Sequence, residues 1–73
     1  MSLFTERLKE LRTAKKLSQK GVSEGVGIAY RNYQHYEYGE REPSMGKLID
    51  LANFFDVSID YLVGRTDNPK INH

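Results

Sequence analysis

With 73 residues the chain has room for one small domain, and a fold of this size buries only ~60% of the surface its unfolded chain exposes. There is no cysteine, and the only histidines are His35 and His73, which excludes disulfides and thiolate metal sites and leaves no imidazole cluster; no cofactor is implied. The net charge is only +1, and no apolar run approaches the ~20 residues of a membrane span or forms a signal peptide, so a cytoplasmic globular protein without a membrane partner is expected.

Helical punctuation runs along the whole sequence. Phe4, Leu8 and Leu11 recur at helical spacing towards Leu17, so a first helix is apolar on one face. Lys15 and Lys16 are expected in its last turn, where cations suit the negative end of the helix dipole. Ser18 is a good N-cap for a short second helix with Val22 and Val26 inside, ended by Gly27. A third helix is expected from Tyr30 to Tyr38, with Tyr33 and Tyr36 on its buried side and Gly39 as its stop. After a charged loop, Glu40–Pro43, Ser44 caps a fourth helix striped by Leu48, Leu51, Ala52 and Phe55. Ser58 caps a very short fifth helix through Leu62, with Gly64 in the C′ position. The expected fold is therefore all-α, a compact bundle of five short helices over residues 1–64. Residues 65–73 read as a polar tail or linker that frays.

Charge is distributed unevenly. Residues 1–20 carry a balance of +4 and residues 21–73 a balance of −3, which hints at one anion-seeking end. Arg12 is a special case. It follows Leu8 and Leu11 on the inner side of the first helix, so it needs an internal partner.

Residues 18–39 match two helices joined by a tight turn. The first needs a small residue where the second crosses it, and Ser23 stands there. Four residues later a left-handed turn is required, which Gly27 adopts without steric cost. Six further on, Tyr33 supplies the apolar anchor of the second helix. Read with the flanking helices, this spacing is a helix-turn-helix.

From Phe4 to Gly64 the chain resembles the Cro/phage-repressor type of helix-turn-helix domain, the xenobiotic-response-element family. The resemblance rests on "ERLKELRTAKKLSQ" (6–19), "VGIAYRNYQHYEYGEREPS" (26–44) and "LIDLANFFDVSIDYLVG" (48–64). It implies a lambda-repressor-like fold and a DNA-binding transcriptional regulator, most simply a prophage-type repressor. Such a protein binds a palindromic operator in double-stranded DNA as a homodimer, with the third helix in the major groove. By position, Gln19 matches a phosphate-contacting glutamine at the start of helix 2. Tyr30, Arg31 and His35 match base-reading positions, flanked by Asn32, Gln34 and Tyr38. Arg41 and Lys47 are expected on phosphate with Tyr38, and Arg12 and Glu37 match a buried ion pair. The family's dimer contact falls here on Val57, Ser58, Ile59 and Tyr61.

The chain departs from that pattern at Ala29, where a capping Ser or Thr is usual, and at Gly21, Gly25 and Gly46, which occupy helical positions. A rival reading keeps the fold and makes it a protein-binding module, such as an antirepressor or partner-recruiting domain. That reading calls for an apolar outer face on the third helix, whereas Arg31, Asn32, Gln34 and His35 are polar. An enzyme is excluded for want of a nucleophile–base pair or phosphate loop, and no small-molecule substrate is implied.

Overall fold

The structure, a computed structural model, describes residues 2–71. It contains α1 (Ser2–Ala14), α2 (Gln19–Val26), α3 (Tyr30–Tyr38), α4 (Met45–Phe55) and α5 (Ile59–Leu62). Among the described residues there is no strand. Ser18, Ser44 and Ser58 cap α2, α4 and α5, each hydroxyl accepting from the backbone N–H three residues on. Ala29 leaves α3 without a side-chain cap, a loss of ~1 kcal/mol relative to serine.

Every helix ends in the same way. Lys16, Gly27, Gly39, Asp56 and Gly64 take positive φ, one beyond each helix. The residue after each donates its N–H back to a carbonyl five positions earlier: Leu17 to Arg12, Ile28 to Ser23, Glu40 to His35, Val57 to Ala52 and Arg65 to Asp60. This is the Schellman closure, which satisfies orphan carbonyls and usually folds an apolar residue under the helix end. Ile28 and Val57 are buried in this way, and Leu17 packs against the core. The two charged exceptions, Glu40 and Arg65, remain exposed.

These closures correct the sequence reading of the first helix. It stops at Ala14, so Lys15 and Lys16 lie in the following turn. Lys16 adopts the left-handed conformation at φ 58°, because Leu17 must turn inward.

Leu8, Val22, Tyr33, Leu51 and Leu62 are completely buried, one from each helix, with Phe4, Tyr36, Ala52 and Phe55 around them. Each such side chain contributes roughly 1.5–3 kcal/mol through burial. Ser23, only 2% exposed, lets α2 and α3 approach, and its hydroxyl bonds back to the Lys20 carbonyl. Gly25 has an equally local reason. A Cβ there would lie 2.6 Å from the Phe54 ring, so the missing side chain admits α4 against α2.

The start of the tail is held by hydrogen bonds to the domain. Arg7, one of the cations of the basic N-terminal segment, is buried. Its Nη1 donates to the Tyr61 carbonyl and, at 2.7 Å, to the Thr66 carbonyl; Nη2 meets Asp67 Oδ1 at 2.9 Å. The guanidinium also lies 4.0 Å from the centre of the Tyr61 ring. Further along, the Ser58 N–H donates to the Pro69 carbonyl. The segment from Arg65 to Pro69 thus packs on the domain. His73 lies outside the described residues.

Candidate nucleic-acid interface

Helix α3 has two faces of opposite character. On the inner face Glu37, with a side chain 1% exposed, accepts from Arg12 Nε at 2.6 Å and Arg12 Nη2 at 3.2 Å. The same carboxylate accepts from the Tyr33 hydroxyl at 2.5 Å and Gln19 Nε2 at 3.1 Å. Arg12 Nη1 donates to the Leu17 carbonyl, in the turn between α1 and α2. A charge removed from water is tolerated only when its hydrogen bonds are met. Here they are met, and among the described residues no buried side-chain nitrogen or oxygen lacks a partner.

The electrostatics follow from this network. Burial alone would push the Glu37 carboxyl up, but hydrogen bonds from Arg12, Tyr33 and Gln19 outweigh it and hold the group below the usual carboxylate range. Burial, then the bond to Glu37, raises the Tyr33 hydroxyl well above the ordinary phenol value. The hydrogen bond to Glu37 likewise strengthens the hold of Arg12 on its proton. The network ties α1, α2 and α3 together and sets the pose of α3.

On the outer face Tyr30, Arg31, Asn32 and Tyr38 are exposed, and the side chains of Arg31 and Asn32 make no hydrogen bond or ion pair with any described residue. Tyr30 is 45% and Tyr38 58% exposed, too much for aromatic rings that serve the core alone. Gln34 and His35 are half-buried. Gln34 Nε2 donates to Gln19 Oε1 at 3.3 Å. Since Glu37 only accepts, it fixes which end of the Gln19 amide is nitrogen, and Gln19 in turn orients Gln34. Gln19, expected at phosphate from its position, is also held from within: one N–H and its carbonyl are used internally, and one N–H remains. His35 Nδ1 lies 2.7 Å from Glu40 Oε1.

Beyond α3, Arg41 is exposed and Lys47 half-buried in the first turn of α4. The sequence-derived dimer surface needs one correction. Val57 is only 6% exposed and belongs to the core, because the left-handed turn at Asp56 folds it under α4. Ser58 and Ile59 are half-buried beside a groove of about 430 Å³ between α4, α5 and the tail, also lined by Ile49 and Ile71. Tyr61, likewise half-buried, lends its ring to Arg7. The basic excess of residues 1–20 also shrinks at the surface, since Arg7 and Arg12 are both turned inward. Arg7 was the functional residue of the tail contact that sequence reasoning missed, for it looks like one more cation in a basic segment.

No helix among the described residues is long and apolar enough to cross a membrane, and none of these residues form a group able to hold a metal ion. A short α2, a left-handed glycine and an α3 held from within but open outside define a helix-turn-helix protein. The chain belongs to the Helix-turn-helix family, whose model matches residues 8–62. It is 42% identical over 67 residues to the uncharacterized HTH-type transcriptional regulator YobD of Bacillus subtilis, covering 92% of this chain and 60% of that protein. Among solved structures, the P22 c2 repressor in complex with a synthetic operator superposes with a TM-score of 0.78 at 30% identity, over 82% of this chain and 91% of the other. The restriction-modification controller protein C.AhdI of Aeromonas hydrophila gives 0.75 at 36% identity, over 81% and 89%. The chain therefore spans about 60% of the length of the curated relative above.

Proposed function

We propose that the chain is a sequence-specific double-stranded DNA-binding regulator of transcription, of the phage-repressor type, that places α3 in the major groove. The observation that carries this reading is the outer face of α3, where unpartnered polar groups stand on a helix held rigidly from its other side. Such a face suits base edges, which are read by hydrogen bonds from preset side chains. It lacks the apolar character that the rival protein-binding module requires. The P22 c2 repressor, a structural neighbour solved in complex with a synthetic operator, supports the same reading.

Roles follow from chemistry and position. Arg31 offers donors suited to guanine O6 and N7, with Tyr30, Asn32, Gln34 and His35 beside it as further base readers. Gln19 with its spare N–H, Tyr38, Arg41 and Lys47 hold phosphate. One recognition helix reads only a few base pairs, so two copies bind a palindrome with equivalent helices about one DNA turn (~34 Å) apart. The domain measures 30 × 21 × 21 Å, compatible with two copies side by side at that spacing. Ser58, Ile59 and Tyr61, continued by the exposed Ile49 and Ile71, form the contact between copies.

The test is a titration of variants against a selected operator, its single-base variants and random duplex at several salt concentrations. Arg31→Ala should cost ~1–3 kcal/mol on the operator and relax preference at one position. Lys47→Ala or Arg41→Ala should weaken all sequences alike and reduce the salt slope by about 1. A parent protein that shows no salt-dependent binding to any duplex would end this reading.

A further inference from the structure

We propose that Glu40 fixes the tautomer of His35, so that α3 presents an acceptor nitrogen to the groove and selects a base that offers an amino hydrogen in the major groove, cytosine or adenine. The inference deepens the DNA-binding reading and rests on it.

The pair is a product of how α3 ends. Gly39 turns left-handed at φ 75°, and the N–H of Glu40 then donates to the His35 carbonyl at 2.9 Å. At the ends of α1, α2 and α4 the residue in this place is Leu17, Ile28 or Val57, which packs inward. At α3 it is a glutamate, 58% exposed in its side chain, lying against the histidine one turn before the helix end. His35 Nδ1 and Glu40 Oε1 are 2.7 Å apart.

A carboxylate at neutral pH can only accept, so Nδ1 must carry the proton of this hydrogen bond. In a ring with a single proton, Nε2 then holds a bare lone pair. No described residue takes up that nitrogen, and the side chain is 31% exposed. His35 also lies one turn beyond Arg31 and three residues before Tyr38 on the open face of α3.

Groove chemistry converts this geometry into a preference. Cytosine N4 and adenine N6 offer hydrogens in the major groove, whereas guanine presents O6 and N7 and thymine O4, all acceptors. An acceptor nitrogen pairs with the first two and meets lone pairs on the others. Arg31, donors only, has the opposite preference. One helical turn of about 5.4 Å therefore carries a donor reader followed by an acceptor reader, and the two should prefer opposite bases at neighbouring positions of the strand that α3 faces. Glu40 touches no base in this scheme; it is a positioning residue.

Two measurements test the proposal. The first is ¹⁵N NMR of the imidazole in the DNA-free protein, at a pH where the spectrum shows a single ring proton. The parent should carry that proton on Nδ1, while Glu40→Ala, which removes the acceptor, and Glu40→Gln, whose amide can donate as well as accept, should shift it towards Nε2. The second is base preference at each operator position, scored as a ratio of affinities, in which the general gain from deleting an acidic charge cancels. The parent should favour cytosine or adenine at one position by ~3–10-fold, the worth of about one hydrogen bond, and Glu40→Gln should show a reduced ratio. Glu40→Ala and His35→Ala should lose most of that ratio while retaining the Arg31 preference. An Nε2-protonated ring in the parent, or an undiminished ratio in Glu40→Ala, overturns the inference and leaves DNA binding standing. If the parent binds no duplex, both readings fall together, although the NMR result still reports the pair.

Discussion

Arg7 and Arg12 stand five residues apart on α1 and both turn inward, yet they do different work. Arg12 meets a carboxylate that is 1% exposed, and Arg7 one that is fully exposed at 102%. What holds Arg7 is the pair of carbonyls at Tyr61 and Thr66 and the Tyr61 ring; Asp67 is an addition at the rim. The lesson is that an ion pair is worth what burial makes it worth. A buried charge that loses its partner is stranded, whereas an exposed one returns to water.

The largest expected effect lies at the buried end. Arg12→Met should cost ~3–5 kcal/mol by leaving Glu37 charged and unpaired, enough to unfold much of so small a domain at room temperature. Urea denaturation followed by circular dichroism measures it. The double variant Arg12→Met/Glu37→Met should recover most of the loss, and failure to recover would show that packing rather than charge dominates.

The same network predicts an acid limb. Glu37 has its folded pKa below its ordinary value of 4.5, so its contribution is complete above that value and is lost as pH falls through the folded pKa. Midpoints measured from pH 7 to pH 2 should decline below about pH 4.5. In Glu37→Gln that decline should be shallower, from a lower starting stability.

Arg7→Met comes next, at ~1.5–3 kcal/mol, the scale of hydrogen bonds from a charged group to partly buried carbonyls. Hydrogen exchange should show its effect concentrated in α5 and residues 65–69. Asp67→Asn is the smallest change, expected to move the melting temperature by no more than about two degrees. If it matches Arg7→Met, the exposed carboxylate matters as much as the carbonyls, and the contrast between the two arginines fails.

Much of this was legible in the sequence, for reasons that differ by residue. Ser18, Ser44 and Ser58 announce helix starts because a hydroxyl satisfies an N–H left free by the first turn. Gly27, Gly39 and Gly64 announce left-handed ends because no Cβ opposes that conformation. Lys16 and Asp56 adopt the same conformation without residue types that would have announced it at Lys16, and only faintly at Asp56. The apolar residues after them decide, by having a core to enter. Arg12 could be marked as internal from its place beside Leu8 and Leu11. Arg7 could not, because its partners lie 54 to 60 residues away.

By itself the sequence determined the helices, their order, the turn at Gly27 and the polar outer face of α3, since caps, periodicity and left-handed glycines act within a few residues. Tertiary structure alone decided that Val57 is core, that Gly25 is space for Phe54, that residues 65–69 dock on Arg7, and that Gln19 and His35 have hydrogen bonds of fixed direction. The physical reason is range. Local rules fix where a backbone turns, while burial and the direction of a hydrogen bond depend on atoms that meet only when the helices pack.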